Sequence, residues 1–155
     1  MIENWIDRVV QLWQIGYGKE TLLSFGGYEK DDFPETLPGK PCVISYVTRV
    51  KPLYGSGQQT IFIWHGVSEF HLTNSVSKSQ VPFVQSFIKR IMVAASANMK
   101  LGNNDDGIEH FIIIPEEFGI QVAWKMKYGD EQDHMGLIVH WEVKENCSGQ
   151  FSMSL

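Results

Sequence analysis

Histidine and glutamate alternate along one apparent strand, from Thr60 to Leu72, in a pattern that could bind a metal ion. His65, Glu69 and His71 share one parity, so a strand would place them on one face of its sheet, and His140 could join them from another strand. A rise of about 3.3 Å per residue separates His65 from Glu69 by roughly 13 Å, and Glu69 from His71 by roughly 7 Å. One zinc ion could therefore use only Glu69 and His71, together with a ligand from a different strand. Solvated or hydrogen-bonded side chains are the simpler interpretation, so we predict no metal and no other cofactor.

Motifs that would mark other catalytic sites are missing from the sequence. It has no phosphate-binding Gly-x-x-x-x-Gly-Lys-Ser/Thr loop, no dinucleotide-binding glycine pattern, no His-Glu-x-x-His and no Gly-x-Ser-x-Gly. The run from Asn103 to Gly107 is acidic like a calcium loop, but it lacks the alternating acids and the final glutamate that bind the ion. We therefore assign no catalytic residue and favour a non-enzymatic role.

The spacing of apolar residues predicts the helices and strands that would position these side chains. Intervals of three and four indicate two amphipathic helices, over residues 2–15 and 82–100, and Pro82 suits the first turn of the second. Period-two alternation and β-branched residues indicate strands. The predicted strands are a short one near 21–25, a hairpin over 42–72, a short one near 111–114 and a hairpin over 120–144.

This order of elements predicts a single α+β domain. Local hairpins joined by one helix favour a mainly antiparallel sheet of about five or six strands, covered on one face by an N-terminal helix and one central helix. The chain of 155 residues, 43% of them hydrophobic, is long enough to bury one core. We assign residues 1–147 to this domain and residues 148–155 to a flexible tail.

Charge and cysteine content restrict the partners and the compartment. A formal net charge of −5 disfavours non-specific binding to nucleic acid or to anionic lipid. No segment has the roughly 20 consecutive apolar residues of a membrane span, and the N-terminus carries acids where a secretory signal needs basic residues. Cys42 and Cys147 fit two free thiols in a reducing compartment. We expect a soluble, cytoplasmic protein that does not enter a membrane.

The last hairpin and the first helix offer the surfaces on which a partner could bind. In the hairpin we predict that Ile120, Val122, Trp124, Met126, Tyr128, Leu137, Val139, Trp141 and Val143 face the core. The opposite, outward positions hold Gln121, Ala123, Lys125, Lys127, Ile138, His140, Glu142 and Lys144. Trp5 and Trp13 lie on the apolar stripe of the first helix, which either docks on the domain's own sheet or is reserved for a second subunit or partner.

Three functions remain open from the sequence. We favour a non-catalytic protein-binding module, of the adaptor, chaperone, inhibitor or assembly-factor type, that binds a protein partner or forms a homodimer. Its candidate partner-binding residues are Trp5, Trp13, Lys125, Lys127, His140 and Glu142. The first alternative is a small-molecule-binding protein or metal-assisted enzyme with a His/Glu site on the sheet. The second is nucleic-acid binding through the lysines, which the acidic residue among them and the absence of outward aromatic residues disfavour.

Overall fold

Two helices and six strands form the part of the chain that the structure, a computed structural model, describes. That part comprises residues 2–16, 22–27, 33, 37, 39–54, 60–101, 107–114, 119–129 and 132–147. In chain order the elements are α1 (Ile2–Gly16), β1 (Leu23–Gly27), β2 (Cys42–Tyr54), β3 (Thr60–His71), α2 (Val81–Ala97), β4 (Ile108–Ile113), β5 (Ile120–Met126) and β6 (His134–Asn146). The predicted α+β fold is confirmed. The predicted tail at 148–155 and the acidic positions 103–106 lie outside the described residues.

The strands form one mixed sheet in the order β1-β2-β3-β6-β4, with β5 also paired to β6. β4 and β5 pair with different stretches of β6, on the edge opposite β3, so they lie end to end. Every pair is antiparallel except β1 with β2, which is parallel. The two predicted hairpins are therefore present as β2 with β3 and as β5 with β6.

Both helices pack on the same face of this sheet. The core between them contains Trp5, Val9, Leu12 and Trp13 from α1, Val84, Phe87 and Ile91 from α2, and Phe70, Leu137, Val139 and Trp141 from the sheet. One hydroxyl ties the layers together, since the indole N–H groups of Trp13 and Trp141 each donate to Ser68 Oγ across 2.9 Å. Gly66 leaves room for the Trp141 ring, because a Cβ at position 66 would lie 2.2 Å from it. The α1 stripe therefore docks on the domain's own sheet.

The second helix ends earlier than the spacing of apolar residues predicts. Asn98 leaves the helical conformation, and its side-chain amide donates to the carbonyl of Ala94 across 2.9 Å. Asparagine side chains commonly end helices in this way because they compete for backbone hydrogen bonds. Among the described residues, no helix is both long and apolar enough to cross a membrane.

The sheet face opposite the helices has two halves that differ in cover. At one end, which we call the covered half, Cys42, Ile44, Tyr46, Glu69 and His71 lie beneath other side chains. A second apolar cluster is built there from Leu37, Cys42, Ile44 and Tyr128, with Leu23, Phe25, Phe33 and Tyr46 packed against it. At the other end, which we call the open half, the face consists of Arg49, Lys51, Ile63, His65, His110, Ile112, Glu142 and Lys144. No helix or strand of the described residues lies over the open half.

The strict alternation predicted along β5 is wrong beyond Ala123. A β-bulge between Ala123 and Met126 shifts the register against β6, and an extra residue of this kind reverses which face the later side chains take. Met126 remains buried, but it lies beside Gly136 on the face opposite the helices. Trp124, predicted to point into the core, is 45% exposed.

Candidate functional site

Glu69 and His71, the two candidate metal ligands, belong to a buried chain of polar side chains in the covered half. Tyr46 donates its hydroxyl hydrogen to Glu69 Oε2 across 2.5 Å, and Glu69 Oε1 lies 3.3 Å from Nε2 of His71. The other ring nitrogen of His71 lies 2.7 Å from Nε2 of His134, whose Nδ1 contacts the carbonyl of Gln132 at 3.0 Å. The chain thus connects three strands, because Tyr46 is on β2, Glu69 and His71 are on β3, and His134 begins β6.

The hydrogen positions in this chain follow from its two ends. The Gln132 carbonyl only accepts, so Nδ1 of His134 donates to it, and one hydrogen lies between the two histidine rings. Nε2 of His71 lies 3.3 Å from Glu69 Oε1, within ion-pair distance, but it forms no hydrogen bond there. This arrangement stabilises the covered half without any added ligand.

The same chain explains why these residues do not form a metal centre. Within the parts of the chain that the structure describes, no group of three His, Cys, Asp or Glu side chains could hold one ion. The His71 ring is fully buried, and Tyr128 packs its ring edge-on against it with centroids 5.5 Å apart.

Burial, and then the Glu69 carboxylate beside it, raises the pKa of the Tyr46 hydroxyl well above its usual range.

In the open half, four polar side chains form a row across four neighbouring strands. Arg49 Nη2 lies 3.3 Å from Nδ1 of His65, and the other nitrogen of that ring lies 3.5 Å from Glu142 Oε1. His110 contacts the second oxygen of Glu142 at 2.8 Å. The register explains the row, since Arg49 pairs with His65 and His65 pairs with Glu142, while His110 comes from β4 one step along.

His65 is held in one tautomer by its neighbours. A guanidinium only donates, so Nδ1 of His65 accepts from Arg49, and a neutral ring then carries its hydrogen on Nε2, towards Glu142. Burial lowers the pKa of His65, and the charges of Arg49 and Lys51 lower it further, while Glu142 acts in the opposite direction. The row is therefore already ordered in the absence of a ligand. Glu142 lies between the imidazoles of His65 and His110, and the Arg49 guanidinium is held by His65.

A cleft of about 500 Å³ lies beside this row. It is lined by Arg49, Val50, Lys51, Pro52, Ile63, His65 and Glu142, and its size is typical of a binding cleft. A second groove, of about 170 Å³, lies between α2 and β4 and includes Met92, Met99 and Ile112. The void under the helices, next to Trp13 and Phe87, has only about 10 Å³, which is too small for a ligand. Ile112 belongs to both the groove and the open half, so the two surfaces are continuous around β4.

The structure separates the residues that the sequence grouped as a partner-binding surface. Trp5 and Trp13 are 0% and 2% exposed, so they stabilise the core and present nothing to a partner. Lys125 is exposed, but it lies within the β5 bulge near the His134 end of β6. Lys144 is about nine residues away along β6, or roughly 30 Å. The basic face predicted from these lysines is therefore not continuous.

His140 and Glu142 do lie on the sheet face opposite the helices, as the alternation along β6 predicts. His140 is opposite Val67, near the boundary between the two halves, and burial lowers its pKa. Glu142 is the centre of the polar row, with its side chain 20% exposed.

Sequence reasoning missed Arg49, His110, Tyr46 and His134. The parity of β2 could have placed Arg49 beside His65, because both lie on the same face of one hairpin. No local signal could have found the contact between His71 and His134, which are 63 residues apart. His134 is the first residue of β6.

The comparisons with known proteins add no family to these observations. The sequence matches no protein-family model, and no curated protein matches it.

Proposed function

We propose that this domain is a non-catalytic protein-binding module that binds its partner with the open half of the sheet. The observation that supports this most directly is the pre-ordered row of Arg49, His65, Glu142 and His110 on a face that no described helix or strand covers. Side chains that are already held in place lose little conformational entropy on binding, which favours association.

The composition of this surface is also that of an interface. The polar row adjoins the half-buried Ile63 and Ile112, and the surface continues around β4 to Met92 and Met99, which are 44% and 51% exposed. Methionine adapts to irregular partners, and apolar area next to ordered polar groups is typical of protein interfaces. The open half alone spans three inter-strand spacings, roughly 14 Å, so a standard interface of about 800 Å² per partner includes this continuation.

The proposal is tested by capturing partners with two matched variants. Ile112→Lys puts a charge in the middle of the proposed surface, whereas Trp124→Lys puts the same charge on an exposed apolar position of β5, away from it. We expect the unmodified chain to retain a stoichiometric partner from cells that express it, Trp124→Lys to retain it equally, and Ile112→Lys to weaken binding at least about tenfold.

Two results would contradict the proposal. One is a strictly monomeric mass by light scattering together with no stoichiometric partner by mass spectrometry. The other is a partner that Trp124→Lys loses and Ile112→Lys keeps, since binding would then use the opposite end of the sheet. Circular dichroism of both variants establishes that they are folded.

A further inference from the structure

The charges of the open half are not balanced among its own side chains. Lys144 pairs with Glu109 at 3.1 Å, and the carboxylate of Glu142 is held by two histidines. Among the described residues, neither Arg49 nor Lys51 has a carboxylate within ion-pair distance, and both are exposed. Two cations therefore stand at one side of the cleft with donors still available, in a chain whose net charge is −5.

The effect of these cations is visible on the nearest titratable group. After burial, the charges of Arg49 and Lys51 contribute to lowering the pKa of His65, whereas Glu142 acts in the opposite direction. His65 accepts a hydrogen bond from Arg49 Nη2, and within the described part of the chain no carboxylate pairs with the guanidinium, whose other N–H groups could donate to an anion.

The spacing of the two cations indicates the shape of that anion. Arg49 and Lys51 are two residues apart on β2, so they point to the same side about 7 Å from each other. An extended peptide places alternate side chains at the same interval, which lets two carboxylates face two cations. Ile63 lies between Lys51 and Lys144 in the register, next to the His65 position that faces Arg49, and gives an apolar floor for the methylene groups of glutamate.

The backbone of β2 disfavours a different kind of recognition. β1 pairs with β2 only from Cys42 to Tyr46, and no other described strand lies on that side of the later residues of β2, which therefore form an edge of the described sheet. Pro52 lacks an N–H there, and prolines and lysines on an edge hinder the addition of another strand. Recognition at this place therefore depends on side chains.

We infer that the open half binds an acidic, extended segment of a partner protein, with carboxylates on alternate residues paired to Arg49 and Lys51 above the floor at Ile63. This inference rests on the proposed function, since it names the chemistry of the partner that the same surface would bind.

The direct probe is an acetylated, amidated octapeptide of alternating glutamate and threonine, with a control peptide in which glutamine replaces glutamate. In a nuclear magnetic resonance titration we expect the acidic peptide to shift backbone amides near residues 49–52, 63–65 and 142. The variant Arg49→Gln/Lys51→Gln should raise the dissociation constant at least about tenfold, because it removes both charge-assisted contacts. The matched variant Lys125→Gln/Lys127→Gln removes the same charge elsewhere and should leave it unchanged.

Several outcomes would overturn the inference. They are equal binding of the glutamine peptide, an affinity that Arg49→Gln/Lys51→Gln does not change, and displacement of the peptide by equimolar inorganic phosphate or single-stranded DNA. The last result would identify a general anion site.

The partner-capture experiment separates this inference from the function on which it rests. If Arg49→Gln/Lys51→Gln retains the captured partner as well as the unmodified chain does, protein binding stands and the acidic segment is contradicted. If the unmodified chain captures no partner while the peptide binds as expected, both are contradicted, because the site then serves free carboxylates.

Discussion

The two halves of one sheet face contain the same pair of residue types in different surroundings. Glu69 and His71 in the covered half are 8% and 0% exposed, whereas Glu142 and His65 in the open half are 20% and 18% exposed. In the covered half the pair contacts Tyr46, His134 and Tyr128 of the same domain. In the open half the pair orders a surface on which Arg49 and Lys51 have no carboxylate partner among the residues that the structure describes. Burial therefore decides whether a His–Glu pair stabilises the fold or remains available for binding.

The largest difference between the halves is expected on removing the carboxylate. Glu69→Ala leaves the Tyr46 hydroxyl without its acceptor and removes the buried carboxylate 3.3 Å from Nε2 of His71, and we expect it to lower the free energy of unfolding by about 4 kcal/mol. Glu142→Ala removes a partly solvated acceptor and should cost about 0.5 kcal/mol. Urea denaturation at pH 7 measures both. Equal losses for the two variants would mean that burial does not distinguish the halves.

A smaller effect is expected at the outer end of the buried chain. Tyr46→Phe removes one hydrogen bond to a charged acceptor, and we expect it to lower the free energy of unfolding by about 1.5 kcal/mol at pH 7. Because burial raises the pKa of Tyr46 in the folded state, its contribution is present below pH 10 and is lost as pH rises above the pKa of an unfolded tyrosine, about 10. The variant should therefore lose less stability above pH 10 than the unmodified chain.

A second group contributes to the same alkaline range and must be separated from Tyr46. Burial, and then the Glu145 carboxylate, raises the pKa of Cys147 to about 11. Its contribution begins to be lost above pH 9, the ordinary thiol value, and Tyr46→Phe leaves it unchanged. In Cys147→Ala we expect the free energy of unfolding to depend less on pH than in the unmodified chain, between pH 9 and 11 only. The same pH dependence in both variants and the unmodified chain would contradict these roles of Tyr46 and Cys147.

The smallest effect is expected in the open half, at the opposite end of the pH scale. Burial and two neighbouring cations lower the pKa of His65 in the folded state. Its contribution is therefore present above the unfolded value of about 6.5 and is lost as pH falls through the folded pKa. His65→Gln keeps an acceptor for Arg49 and a donor for Glu142. We therefore expect the variant to lose less free energy of unfolding than the unmodified chain as pH falls, with little change at pH 7.5. Urea midpoints at pH 7.5 and pH 5.5 measure this, and an unchanged difference between them would contradict it.

The elements of the fold were predictable from the sequence because each depends on local periodicity. The α1 stripe, the two hairpins and the outward position of Glu142 all follow from intervals of two, three and four. The alternation along β5 gave a wrong prediction of which side chains face the core beyond Ala123. The bulge there depends on pairing with β6, and the spacing of apolar residues does not show it. The difference between the halves was also invisible, since it depends on Leu37 and Tyr128 packing over β2 and β3 from distant positions.

The central position of β6 has a consequence for the order in which the domain can form. β4 and β5 pair with no described strand other than β6, and β6 follows both of them in the chain. During synthesis, β4 and β5 therefore cannot form these pairings until residues 134–146 have left the ribosome. The ladder between β3 and β6 also closes a long loop, since Ile61 pairs with Asn146, and contacts of such large sequence separation slow folding. Unpaired strand edges favour aggregation, so rapid pairing of β6 with β4 and β5 protects the chain during folding.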